Sequence, residues 1–283
     1  MSKIKAAIDA AKRRHEAATA GAPSQPAGRP PQHTGQGQPP ARSDLISMTG
    51  IRHVNASHRA LKANRILTSD PQHPAETAYR MLRTRIMRRA RANGWQILGI
   101  SSLRQNEGKT YTALNLAISI AAEIGQEALI LDLDLRRPSI HTCLGVEDDA
   151  FISLTDYLQG TVDDVSKLIV CPGIDRLGCI MSAMALERPS DVLASPRGQR
   201  LFAELRERLP RETVVIVDLP PLLTVDDALA VAPMIDGLLF VVAEGVARRG
   251  ELLEAEQILQ EFNFIGTVLN KSIEKDTSKD YYY

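Results

Sequence analysis

The sequence predicts an α/β domain built on a mostly parallel sheet with helices on both faces. Three observations carry that expectation. Short, fully apolar and β-branched segments recur along the chain, helical periodicity fills the intervals between them, and carboxylates close several of the apolar segments. Strands that are apolar on both faces belong to a sheet covered on both sides. Alternation with helices implies right-handed crossovers, which bring the strand ends and their loops to one edge, where a ligand binds.

The elements follow in order. From Glu76 to Ala92 the spacing is helical, with Ala78, Met81, Leu82 and Ile86 interleaved with Arg80, Arg83, Arg88 and Arg89. Trp95–Ser102 reads as a buried strand, Tyr111–Ile124 as a helix and Ala128–Leu133 as a second strand. Short helices are expected near Ser139–Leu144 and at Leu154–Leu158, with a weaker strand signal over Arg176–Met181. A helix over Arg197–Arg208 precedes the strongly β-branched strand Val214–Val217. Leu238–Val242 is a further strand, Leu252–Phe262 a helix and Ile265–Leu269 the last strand.

Around this domain, expected over 76–270, lie less regular segments. Residues 1–20 place Ile4, Ala7, Ile8 and Ala11 at helical spacing among Lys5, Lys12, Arg13 and Arg14, which predicts a short basic amphipathic helix. Residues 21–43 are rich in Pro, Gly, Gln and Ser and read as a disordered linker. Residues 44–75 read as an arm with Leu61, Ile66 and Leu67 as anchors. Residues 271–283 form a polar tail ending in Tyr281, Tyr282 and Tyr283, half of the six tyrosines, and are expected to be exposed and flexible.

Bulk properties exclude several classes. The 283 residues are 44% hydrophobic and 24% charged, as in ordinary soluble proteins, and the formal net charge is zero, so nothing global argues for nucleic acid or anionic lipid. No apolar run is long enough to span a bilayer, and the N-terminus lacks a signal-peptide block. The chain is therefore expected in the cytoplasm, with any membrane contact indirect. Cys143, Cys171 and Cys179 form no CxxC pair and read as reduced thiols rather than zinc ligands.

The chemistry lies in three segments. Gly108-Lys109-Thr110 follows a buried strand and opens a helix, the arrangement of a P-loop. Backbone N–H groups of Arg104, Gln105, Asn106, Glu107, Gly108, Lys109, Thr110 and Tyr111 are then candidates to hold ATP phosphates. Lys109 can reach the β/γ-phosphates, and the Thr110 hydroxyl suits Mg²⁺. The first glycine of GxxxxGK[ST] falls at Leu103, so the loop departs from the usual spacing. The second segment is Asp132-Leu133-Asp134, with both carboxylates expected at a strand end, and the third is Asp218-Leu219-Pro220-Pro221. Carboxylates after apolar strands suit a hard cation and its waters, although a single one could instead cap a helix or turn.

Together these motifs resemble the bacterial tyrosine kinases (BY-kinases) of capsule and exopolysaccharide synthesis. Ala78–Thr84, Ser153–Leu158, Asp236-Gly237 and Val268-Leu269-Asn270 fit the same pattern, over about residues 65–283. The resemblance implies a P-loop NTPase-type fold and an ATP- and Mg²⁺-dependent protein-tyrosine kinase. Lys109 and Thr110 match its Walker A lysine and magnesium hydroxyl, Asp132 and Asp134 its Walker A′ pair, and Asp218 its Walker B carboxylate. One of Asp132 and Asp134 is then expected to order the incoming tyrosine hydroxyl and the other to serve Mg²⁺; Asp132 is the choice for the phenol, Thr110, Asp134 and Asp218 for the metal side, and Asn270 for part of the nucleotide site. Arg80 and Arg83 match arginines that hold a homo-oligomeric ring, and Tyr281, Tyr282 and Tyr283 a phosphoacceptor cluster. The resemblance is to the form without its own transmembrane activator, which implies recruitment to the inner membrane face by a chain-length-determinant partner.

Two other readings stay open. A MinD/ParA-like ATPase would carry a lysine where Leu103-Arg104 stands. An ATP-binding pseudokinase scaffold is suggested by Gln105-Asn106, where the kinases usually have Pro-Gly; asparagine best tolerates the left-handed backbone such a loop needs.

Overall fold

The computed structural model describes residues 45, 46, 48, 50–67 and 74–272. The expected N-terminal helix and linker, and the tail tyrosines, lie outside these residues. The element order is α1 (His58–Ala63), α2 (Pro74–Asn93), β1 (Ile97–Ser102), α3 (Lys109–Ala121), β2 (Glu127–Asp132), α4 (Ile140–Leu144) and α5 (Leu154–Leu158). Then follow β3 (Leu177–Ile180), α6 (Pro189–Ala194), α7 (Pro196–Arg208), β4 (Thr213–Asp218), α8 (Asp227–Val231), β5 (Gly237–Ala243), α9 (Arg249–Leu259) and β6 (Phe264–Asn270).

The six strands form one sheet in the order β3-β2-β4-β1-β5-β6, and every pairing is parallel. Alternate residues of each central strand enter opposite cores, because side chains alternate across a sheet. On one face Leu129, Leu131, Val215, Val217 and Phe240 pack with Leu201, Phe202 and Leu205 of α7. On the other, Ile100, Ile130, Ile216 and Val241 pack with Leu114, Leu116 and Ile120 of α3 and with Ile86 and Met87 of α2. Both faces are thus covered, the physical reason these strands carry no polar alternation.

Several short elements were not visible as periodicity. Helices α1, α6 and α8 span five or six residues, too few for an amphipathic pattern to register. They are fixed by tertiary contacts instead. Asp227 at the start of α8 accepts from Arg136 Nε at 2.7 Å and from the Ser190 N–H in α6 at 3.1 Å. Helix α7 opens against α6 so closely that a Cβ on Gly198 would lie 2.2 Å from the Leu193 carbonyl oxygen. Gly198→Ala is therefore expected to destabilise the protein by ~1–3 kcal/mol through overpacking, read as a lower Tm.

The segment before α2 pairs with residues 170–171, and Val170 in turn bridges to Cys179 of the edge strand β3. Val54 N–H donates to Cys171 O and Cys171 N–H to Arg52 O, both at 2.8 Å, and the Leu67 N–H donates to Asn115 Oδ1 of α3 at 2.6 Å. Leu61, Ile66 and Leu67 are buried. An edge strand covered this way offers no open ladder to another chain.

Candidate active site

Strand order builds the site. Strand β4 lies between β1 and β2, with Ile100 opposite Asp218 and Asp132 opposite Asp218 in register. The carboxylates closing β2 and β4 therefore stand side by side at the C-terminal edge, next to the loop that leaves β1. The chain crosses from β4 over β1 to β5, so this is also where the strand order reverses, the usual ligand position in open α/β sheets.

The loop after β1 is held by its own side chains. Glu107 is buried, and its Oε2 accepts the N–H groups of Leu103 at 2.8 Å and Arg104 at 3.0 Å. Asn106 has φ +63° and Gly108 φ +94°, both in the left-handed region. Asparagine at 106 thus meets the backbone requirement that the sequence raised, with a strain of ~1 kcal/mol. Gly108 caps α3, and a Cβ there would lie 2.1 Å from Asn270 Nδ2, so only glycine fits. Helix α3 starts at Lys109, two residues before the periodicity suggested.

Lys109 reaches into three carboxylates. Its Nζ lies 2.8 Å from Asp134 Oδ2 and 3.3 Å from both oxygens of Asp218. Thr110 Oγ1 donates to Asp218 Oδ2 at 2.5 Å and lies 3.3 Å from Ser139 Oγ. Asp132 is fully buried, and its Oδ2 accepts the N–H groups of Ser139 and Ile140 at 3.0 Å each, capping α4. Its Oδ1 is buried and, among the described residues, has no hydrogen-bond partner. Asp134 lies beyond the end of β2 rather than on it, in a turn where the Arg137 N–H donates to its carbonyl oxygen at 2.9 Å.

The electrostatics follow from burial. Burial pulls the Lys109 ammonium down, but Asp218 and Asp134, with Asp132, outweigh it and hold it above its ordinary value. Burial, then repulsion from Asp218, pushes the Asp132 carboxyl up to about 7. Asp218 is also raised, by burial first, against the opposing pull of Lys109. A carboxyl whose folded-state pKa is raised stabilises the fold below its unfolded pKa and loses that contribution as pH climbs through the folded value. The ligand-free protein should therefore lose stability between about pH 4 and pH 7, and Asp132→Asn should flatten that slope in a pH series of Tm measurements.

One ammonium among three buried carboxylates leaves an excess of negative charge when all are ionised. Together with the orphaned Asp132 Oδ1 and the Thr110 hydroxyl, this fits a divalent cation. Among the described residues no three His, Cys, Asp or Glu side chains converge tightly enough to enclose an ion.

Other expected site residues sit differently. The Arg104 guanidinium pairs with Glu251 of α9, and Gln105 Oε1 accepts from Arg137 Nη1 at 2.6 Å. The Tyr111 ring faces Tyr79 edge-on, with centroids 6.0 Å apart, and packs α3 on α2. Asn270 Nδ2 donates to Glu107 O at 2.8 Å, which places it at the loop. Arg80 is exposed, within 3.9 Å of Glu76. Arg83, expected at a subunit interface, makes contacts within its own chain: Nη1 donates to Ser119 O at 2.7 Å and Nε lies 3.1 Å from Glu123 Oε2. A guanidinium pinned between α2 and α3 serves the chain's own packing.

Sequence reasoning passed over Ser139, Arg136 and Lys271. Lys271 Nζ donates to Asn106 O at 2.6 Å, and Arg136 grips Asp227 through Nε and Nη2. Only the Arg-Arg-Pro-Ser run after Asp134 marked two of these positions, and nothing local marked the third.

No protein-family model matches the chain. It is 27% identical over 225 residues to the tyrosine-protein kinase YwqD of Bacillus subtilis, covering 78% of this chain and 92% of that protein. It is 30% identical over 180 residues to the tyrosine-protein kinase CpsD of Streptococcus pneumoniae, covering 62% of this chain and 76% of CpsD. Among solved structures, the kinase domain of the Escherichia coli tyrosine kinase ETK superposes with a TM-score of 0.65 at 28% identity, over 81% of this chain and 92% of that one. The septum site-determining protein MinD of Pyrococcus horikoshii, complexed with Mg-ADP, matches at 21% identity and a TM-score of 0.51, over 64% of this chain and 72% of its own, a likeness of fold alone. With β1, the loop closed by Gly108 and the gathered carboxylates in the same chain order as the motifs of the sequence, the chain belongs to the bacterial tyrosine kinases.

Proposed function

We propose that this protein transfers the γ-phosphoryl group of ATP to protein tyrosines, as a kinase of capsule and exopolysaccharide synthesis. The observation that carries the reading is the Lys109 ammonium set among Asp134, Asp218 and Asp132 at the mouth of the phosphate loop. Phosphoryl transfer to an oxygen needs little covalent machinery from a protein; position and positive charge do most of the work.

The residues divide that work. Lys109 supplies positive charge at the transferring phosphate, and the N–H groups at the start of α3 face the same anion with the helix dipole behind them. Thr110, Asp134 and Asp218 would hold Mg²⁺. When bound, that ion neutralises charge on the β- and γ-phosphates. Asp132 accepts the phenol proton: a tyrosine hydroxyl titrates near 10, and a carboxyl raised toward neutrality is the better matched base.

The acceptors are Tyr281, Tyr282 and Tyr283, presented by a neighbouring copy in a homo-oligomer. About a dozen residues beyond Asn270 reach up to roughly 40 Å when extended, enough to enter an adjacent site. A membrane chain-length-determinant protein would recruit and activate the kinase at the inner face of the cell membrane. Among the described residues no helix is long and apolar enough to cross a membrane.

The rival readings meet specific obstacles. Leu103 is fully buried and Arg104 is engaged by Glu251, so neither supplies the loop lysine of a MinD-like ATPase. Asn106 adopts the left-handed backbone, which removes the steric ground for a crippled pseudokinase loop.

The test is an incubation of purified protein with Mg·ATP and the partner's cytoplasmic segment. Phosphotyrosine at 281–283 is expected by mass spectrometry, lost on deleting those three residues while an added substrate is still labelled. ADP release without phosphotyrosine would favour the ATPase, and binding without turnover the scaffold. Label mainly at Tyr79 or Tyr157 would refute the assigned acceptors.

A further inference from the structure

We infer that Lys271 is a positioning residue for the phosphate loop, holding the Asn106–Glu107 peptide so that its N–H faces the nucleotide. The inference rests on the ATP-binding reading of that loop.

Lys271 follows β6 directly, 165 residues from its partner, and its Nζ donates to Asn106 O at 2.6 Å. The preceding residue, Asn270, donates through Nδ2 to Glu107 O at 2.8 Å. Two successive loop carbonyls are therefore drawn toward the end of one strand. A trans peptide is planar, with C=O and N–H on opposite sides, and every described peptide is trans. Fixing these two carbonyls outward turns the N–H groups of Glu107 and Gly108 the other way, toward the loop's interior. Among the described residues neither N–H donates to a protein acceptor. Successive inward N–H groups at a left-handed turn form a concavity for an anion.

The backbone shows why an external hold is needed. Asn106 at φ +63° and Lys271 at φ +57° are both non-glycine residues in the left-handed region, joined by one charge-assisted hydrogen bond. Such conformations persist only where the surroundings over-determine them, and they gather at functional sites. This loop lacks both the glycine at 103 and a glycine at 106, so its own sequence disfavours the left-handed turn it adopts. The lysine supplies from outside what glycine would supply from within.

The geometry makes a prediction that a direct ligand contact would not. Glycine at 106 adopts positive φ without strain, so it should relieve the need for Lys271. In the full chain, Lys271→Met should weaken Mg·ADP binding, measured by calorimetry, by about three- to tenfold, the net scale of one solvent-exposed hydrogen bond. The KM for ATP should rise in proportion while kcat stays within about twofold and Tm is unchanged. Lys271→Arg should restore affinity, and Asn106→Gly added to Lys271→Met should recover most of it. Unaltered ADP binding in Lys271→Met would overturn the inference. So would a double variant as weak as Lys271→Met, because the ammonium would then touch the ligand itself. Wild-type protein that fails to bind Mg·ADP would instead remove the ATP reading, and this inference with it.

Discussion

Lys109→Met will abolish tyrosine phosphorylation, with a loss of about 10³-fold or more expected where the main fixed positive charge at a transferring phosphoryl group is removed. The same change has a second consequence. Lys109 is the cation that Asp134 and Asp218 share, at 2.8 and 3.3 Å, and removing one partner from a buried charge cluster costs about 3–5 kcal/mol. The ligand-free variant should therefore melt several degrees lower, and Mg²⁺ should recover part of that loss by restoring positive charge to the cluster. Labelling comparable to wild type would remove the phosphate-loop assignment. An unchanged melting temperature without Mg²⁺ would mean the carboxylates do not depend on Lys109.

Asp218→Asn should give the opposite pattern in stability with an equally severe loss of function. Asp218 has no exposed surface, and burial already favours its protonated form. An amide keeps its shape, accepts from the Thr110 hydroxyl and ends the repulsion with Asp132. Thermal stability without ligand should hold or rise, while Mg²⁺-dependent phosphorylation falls by about 10²–10³-fold. A marked drop in Tm would show that Asp218 is needed as an anion for folding. Activity near wild type would take it out of the metal site.

The contrast between these variants comes from the way the cluster is assembled, and its parts differ in how visible they were beforehand. Val214–Val217 and Leu238–Val242 declared themselves as strands because residues buried on both faces must be apolar throughout. Gly108-Lys109-Thr110 was legible because loop, lysine, hydroxyl and helix start are covalently consecutive. The contacts of Arg83 with Glu123 and Ser119 were not legible, because a basic residue on an amphipathic helix reads alike whether it faces solvent, a neighbour or an adjacent helix. The ring direction of Tyr111 was illegible for the same reason, being set by Tyr79. Helices α6 and α8 left no periodic trace, since Asp227 and Arg136 stabilise them from outside.

By itself the sequence determined the local chemistry: which segments are strands, where the phosphate loop opens a helix, and that Asp132 and Asp218 close strands. The tertiary structure alone decided that β4 runs between β1 and β2, bringing Asp218 into register with Asp132 and under Lys109. It also decided that Lys271 closes on Asn106. Local patterns fix what each segment must bury, but hydrogen bonding between strands far apart in the chain is settled only when the whole sheet assembles.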